Sequence, residues 1–145
     1  AYVTEVSTQD LSDVYHLLSL LESDAAGVVA ARASESELQE LQALHQELEN
    51  AAVPGTANTE AFFAVNERFH MRLLEIANNR WRNQMVADLR KVMKLNRHNS
   101  LLKTGRVQES LEEHRSLMAA ITARDARLAE QCMLQHIRNG LVAAN

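Results

Sequence analysis

The stretch FFAVNERFHMRLLEIA, residues 62–77, decides the fold. Phe62, Phe69, Leu73 and Ala77 recur at the three- and four-residue spacing of one helical face, and His70 lies on that same apolar stripe. A histidine so placed points inward. Asn66 stands one turn before it, and residues four apart differ by only about 40° around a helix axis, so both side chains reach one interior point. Two later stripes repeat the arrangement, Leu111, His114, Met118 and Ile121, then Ala129, Cys132, Met133 and His136. Buried imidazoles need partners for their ring nitrogens. A four-ligand metal site of Asn66, His70, His114 and His136 satisfies that need; the alternative is a set of core histidines, each bonded to a backbone carbonyl or a hydroxyl. His16 and His98 lie off the clear stripes and His45 at a stripe edge beside Leu41 and Leu48, so these three read as surface or boundary residues.

Outward from this stretch, the pattern predicts helices throughout. A first helix spans about Ser12 to Ala33, with Ser12 as cap and Leu11, Val14, Leu18, Leu21, Ala25 and Val28 as its stripe. Ser34 stands three residues before Glu37, a capping-box spacing, and Leu38, Leu41, Leu44 and Leu48 continue a second helix that stops before Pro54 and Gly55. Asn58 or Thr59 caps the third helix, which Asn78 and Asn79 end, since asparagine tolerates the left-handed conformation. A fourth runs from Trp81 to about Arg97 with Met85, Leu89 and Val92 on one side. A fifth covers Val107 to Ala123, and Asp125 caps a sixth that reaches the carboxyl end. Period-two alternation is missing. The expected fold is an all-α antiparallel bundle of about six helices around an internal metal site, a single domain over residues 1–145.

Composition agrees with packed helices: 46% of the 145 residues are hydrophobic, only 4% are aromatic, and there is one proline. No apolar run approaches the length of a membrane span, and the amino terminus lacks a basic-plus-apolar signal segment. One cysteine, Cys132, leaves no internal disulfide and suits a reducing cytoplasm; one turn before His136, it is a minor alternative ligand or a small buried hydrophobe. Charge is lopsided. Residues 1–60 carry eleven acids and one base, Arg32, whereas residues 80–106 carry eight bases and one acid, Asp88. Without interleaved aromatics or a helix-turn-helix, the basic strip is read as complementing the acidic helices, across the bundle or a dimer contact, rather than nucleic acid.

Imidazole and amide oxygen are borderline ligands, suited to zinc, nickel, manganese or iron(II). A neutral donor set leaves a divalent ion's charge uncompensated, so an anion such as a small carboxylate is drawn to an open position. Three histidines on zinc also activate water in some hydrolases, which makes a metal-dependent, hydrolase-like bundle enzyme the alternative reading. Against it, the E-x-x-H spacing of Glu67 and His70 occurs once, with Leu111 and Met133 at the corresponding places before His114 and His136. Glu67 lies roughly 100° from Asn66 around the helix and reads as solvated. No H-E-x-x-H, G-x-S-x-G or phosphate-binding glycine loop occurs.

Asn66-Glu-Arg-Phe-His70 with Leu73 and Ala77-Asn78, then Glu113-His114 with Ala120-Ile121, Asp125, Ala129 and His136-Ile137, resembles the effector-binding domain of the FadR branch of GntR-type bacterial transcription regulators. Asp13, Tyr15, Leu21-Glu22, Ala25-Ala26 and Ala30-Ala31 agree with it. The resemblance implies a helical sensor, not an enzyme, that binds a divalent transition metal, zinc with nickel or manganese as alternatives, through Asn66, His70, His114 and His136. It also implies a small carboxylate effector held with the metal's help, a cytoplasmic homodimer, and DNA contact only through a winged-helix domain absent from this chain. Members commonly place aspartate where this chain has Asn66. Many also carry an arginine near the position of Leu18 for the effector's carboxylate. Arg90 and Arg97, on a face with Val86 and Met93, are the candidates to replace it.

Overall fold

The computed structural model describes residues 6–53, 59–95 and 105–144, and among these every regular element is helical. The order is α1 (Thr8–Arg32), α2 (Glu35–Ala51), α3 (Thr59–Ala77), α4 (Arg80–Lys94), α5 (Arg106–Thr122) and α6 (Ala126–Ala144). Local chemistry sets several starts. The Ser34 hydroxyl accepts from the Glu37 amide while the Ser34 amide donates to the Glu37 carboxylate, a complete capping box that turns α2 off α1 within two residues. Asn79 caps α4, and Asp125 accepts from Leu128 N–H at 3.1 Å to start α6. Asn78 closes α3 in the left-handed region at φ 58°. One cap differs from expectation: Ser7, not Ser12, accepts from Asp10 N–H, so α1 begins at Thr8. Pro54, Gly55, Asn58, Arg97 and His98 lie outside the described residues.

Helix α1 is the central strut, touching α3, α4, α5 and α6. Its inward face steps through Leu11, Tyr15, Leu18, Glu22, Ala25 and Val29, and Ala26 and Ala30 widen it. Leu21 and Val28, expected inside, are only partly buried. Small residues let α6 come close. A Cβ on Gly27 would lie 2.3 Å from the Glu130 side chain, and one on Gly140 3.2 Å from the Tyr15 ring. Those two contacts make α1 and α6 antiparallel. A second apolar cluster of Leu48, Phe62, Phe63 and Leu111 joins α2, α3 and α5, with Phe62 and Phe63 edge to face at 5.2 Å.

The fourth helix is turned by about one residue from its apolar pattern, with Leu89 still packed against the core. Met85 is 50% exposed, whereas Arg82, Val86, Arg90 and Met93 are buried. Ion pairing overrides hydrophobicity here, because Arg82 pairs with Asp24 of α1, and Arg90 with Glu22 of α1 at 2.8 Å. The basic strip and the acidic amino-terminal part therefore meet inside the bundle. On the outer surface α2 is gripped by arginines of α3 and α5, Arg72 on Glu40 at 2.6 Å and Arg115 on Glu49 at 2.6 Å. Such exposed pairs contribute at most about 1 kcal/mol each.

Leu18 is fully buried, so Leu18→Ala should cost about 2–5 kcal/mol in urea denaturation, while Met85→Ala should stay within about 0.5 kcal/mol. A large loss for Met85→Ala would mean that α4 turns its apolar side inward after all.

Candidate metal centre

His70 of α3, His114 of α5 and His136 of α6 meet in the core, each offering a ring nitrogen, and these atoms all lie within 4.8 Å of one another. His70 Nε2 stands 3.3 Å from His136 Nε2, and the Asn66 side-chain oxygen stands 2.6 Å from His114 Nε2. All four side chains chosen from the apolar stripes thus converge. His70 and His114 are wholly buried, and Asn66 and His136 are nearly so.

The outer nitrogens of two rings are held by carboxylates. His70 Nδ1 lies 2.6 Å from Glu22 Oε1, and His136 Nδ1 lies 2.5 Å from Glu113 Oε1. Each carboxylate is backed by an arginine. Arg90 donates to both oxygens of Glu22, and Arg106 donates to both oxygens of Glu113 at 3.1 and 3.2 Å. Burial works to raise the Glu22 pKa, but Arg90 and His70 overcome it and hold it down to about 2. Burial likewise opposes ionisation of Glu113, yet His136 and Arg106 keep it below the usual carboxylate range. Burial, helped by the nearby Arg90 charge, lowers His70 to about 4 despite Glu22, and burial holds His114 well below an ordinary histidine.

These protonation states bear on what the cluster holds. An ionised carboxylate only accepts, so the proton of neutral His70 sits on Nδ1, facing Glu22, and His136 donates from Nδ1 to Glu113. The Nε2 atoms of the two rings stand 3.3 Å apart on the inner side of the cluster, and His70 offers its lone pair there. A divalent ion between them would be held by these nitrogens. Two nitrogens of a tetrahedral zinc site, each at about 2.0–2.1 Å from the ion, stand about 3.3 Å apart. The donors fit a borderline transition metal, and the carboxylates behind them are the orienting partners that metal-bound histidines ordinarily have.

Several expectations need correction. Glu67 is not solvated: its carboxylate accepts from Arg90 at 3.0 Å and pairs with Lys94 at 3.3 Å. Arg90 does line the cavity beside the histidines, but Nε and both terminal nitrogens of its guanidinium are engaged by Glu22 and Glu67. Arg97 lies outside the described residues. Cys132 is no ligand here, since it borders a separate open pocket with Ser116 and Gln135, and burial pushes its thiol pKa up. His45 is a boundary residue paired with Glu49 at 3.0 Å, as its position at the stripe edge suggests. Glu22 and Glu113 entered the sequence reading only as positions of family resemblance, without a role. The signal for Glu22 was available, because Leu18, Glu22, Ala25 and Val29 share one helical face.

The family model described as FCD domain matches residues 13–139. The Uncharacterized HTH-type transcriptional regulator YdhC of Bacillus subtilis (strain 168) is 26% identical over 137 residues, 94% of this chain and 61% of that protein. The HTH-type transcriptional regulator LutR of the same organism is 27% identical over 136 residues, 90% of this chain and 60% of that protein. The chain therefore spans about three-fifths of the length of the curated relatives it matches. Among solved structures, E. coli McbR/YncC shares the fold with a TM-score of 0.88 at 22% identity, covering 98% of this chain and 71% of that one. Streptococcus agalactiae GntR has a TM-score of 0.76 at 26% identity, covering 94% and 60%.

Neutral buried histidines make the domain acid-labile. The unfolded chain protonates His70 near its ordinary 6.5, while the folded one resists down to about 4, so stability falls with pH across that window. Glu22 extends the loss from 4.5 down to about 2. Melting temperature in chelator should drop by roughly 5–10 °C between pH 6.5 and 4.5. A flat profile would show that the histidines are charged when folded.

Proposed function

The chain belongs to the FCD domain family, and from that membership we propose that it is the sensing part of a GntR-type transcription regulator. It binds a divalent transition metal through Asn66, His70, His114 and His136 and, with the metal, a small carboxylate effector. The observation that carries this reading is the meeting of His70, His114 and His136 in the core, with one ring nitrogen of each within 4.8 Å of the others and the Asn66 oxygen beside them. When bound, the ion supplies a positive centre for an anion's oxygen. The chain does the rest: Glu22 and Glu113 fix the two imidazoles, the bundle excludes water, and Asn66 adds no charge to compete with the ligand. Zinc suits these donors, as do nickel and manganese.

A hydrolytic role finds less support. Among the described residues, the carboxylates nearest the histidines are already tied, Glu22 and Glu113 to histidine and arginine, Glu67 to Arg90 and Lys94. None is placed to take a proton from water. We infer instead a cytoplasmic homodimer whose DNA contact is made by a winged-helix domain elsewhere in the full protein. The named B. subtilis relatives are HTH-type regulators. Effector binding then acts by preferring one of two dimer arrangements, shifting their populations and the spacing of the DNA readers.

Metal analysis should find about one ion per chain in the wild type and little or none in His114→Ala or His136→Ala, while Cys132→Ala keeps its metal. Equal melting temperatures with and without chelator would overturn the metal site. Asn66→Asp adds a negative charge beside the ion, so it should tighten metal binding by about tenfold or more and weaken the carboxylate. Calorimetry showing both affinities moving the same way would refute the metal-anchored anion.

A further inference from the structure

His70 and Glu67 stand one turn apart on α3, and a string of ionic contacts leaves the helix at one and returns to it at the other. His70 Nδ1 meets Glu22 of α1 at 2.6 Å, and Arg90 of α4 donates to both Glu22 oxygens at 2.8 and 2.9 Å. Arg90 Nη1 then donates to Glu67 at 3.0 Å, and Lys94 pairs with the other Glu67 oxygen at 3.3 Å. Exposure rises along the string: none at the His70 and Glu22 side chains, 3% at Arg90, 16% at Glu67 and 46% at Lys94. Three helices are thereby joined in a closed circuit. One of its members is a histidine of the metal centre, and the member furthest from that histidine is Glu67.

The approach of Arg90 is what calls for Glu67. Arg90 meets Glu22 side-on, through Nε and Nη2, so Nη1 projects past that carboxylate. Arg106, in the matching place behind His136, turns both terminal nitrogens onto Glu113 and leaves neither for a second carboxylate. A guanidinium nitrogen as buried as Arg90 Nη1 needs an acceptor, and Glu67 supplies it. Charge leads to the same residue. Glu22 and Glu67 cancel Arg90 and Lys94, so the string adds no net charge beside the histidines. Without Glu67 it carries an excess positive charge, which opposes a divalent ion; without Lys94 it carries an excess negative charge, which favours one.

We propose that Glu67, whose carboxylate is bound to Arg90 and Lys94 rather than to a histidine, is a positioning residue for the metal centre: it anchors Arg90, Arg90 fixes Glu22, and Glu22 aims the His70 ring. This rests on the metal site proposed above and adds a determinant of its affinity outside the four ligands. Competition with a chromophoric chelator measures zinc affinity in the folded protein. Glu67→Ala should weaken zinc by about tenfold, with stoichiometry at saturation unchanged because all four ligands remain. Glu67→Gln keeps an oxygen for Arg90 and removes only the charge, so it tests the string even where the alanine variant unfolds; it should weaken zinc by about threefold or more. Lys94→Gln should act in the opposite direction, tightening zinc by about twofold at low salt, with the gain fading as salt is added. Glu75→Ala, which breaks an exposed pair with Arg72 on the same helix, should leave zinc affinity unchanged. A role confined to holding α3 against α4 would instead lower the melting temperature of the metal-free protein in the Glu67 and Lys94 variants alike and leave zinc affinity unmoved. That result, or weakening of zinc in Lys94→Gln or Glu75→Ala to the extent seen in Glu67→Ala, would overturn the assignment and leave the metal site standing. A wild type that binds no zinc would overturn both.

Discussion

Glu22 is an ionised carboxylate buried completely in the middle of a helical bundle, and the placement of two other helices follows from what it needs. Removing such a group from water costs several kcal/mol unless cations and donors surround it. Arg90 answers from α4 and His70 from α3, so α4 turns its arginines rather than Met85 toward the centre. The same device recurs. Glu113 takes His136 and Arg106 as Glu22 takes His70 and Arg90, and Asn139 adds a donor at 2.8 Å. Each carboxylate thus couples one inward histidine to one arginine of the cavity wall.

The third histidine stands outside this scheme. His114 Nε2 meets the oxygen of Asn66, while its Nδ1 is buried without a partner among the described residues. Without metal the proton belongs on Nε2, where it has an acceptor. In the proposed site Nε2 must be free for the ion, which sends the proton to an unsatisfied position. Two ligands are therefore held ready and one must be rearranged. That cost falls on metal affinity and makes His114 the least constrained member of the set.

Much of the fold was legible because its signals are local. The Ser34 and Glu37 capping pair, Asp125 and the asparagines after Ala77 act within one turn of chain, and the periodic stripes carried all three histidines. The misreading of Glu67 has one cause. Charged residues are counted as outward in an apolar pattern, so Glu67 reads as solvated although Arg90 and Lys94 hold it. Only partners far away in sequence make these residues interior, as Glu22 and Arg90 do for each other across two intervening helices.

The close meeting of α1 and α6, where Gly27 admits Glu130 and Gly140 admits Tyr15, joins the first and last helices of the described chain. These contacts close the longest loop of the fold, whereas hairpins such as α2 with α3 and α5 with α6 close short ones. Glu22 rides on the one helix and His136 on the other. The histidine ring and its two carboxylates are therefore complete only when the chain has closed on itself. On this topology an ion held by the three histidines would act as a latch and not a nucleus, binding the finished bundle and slowing its reopening.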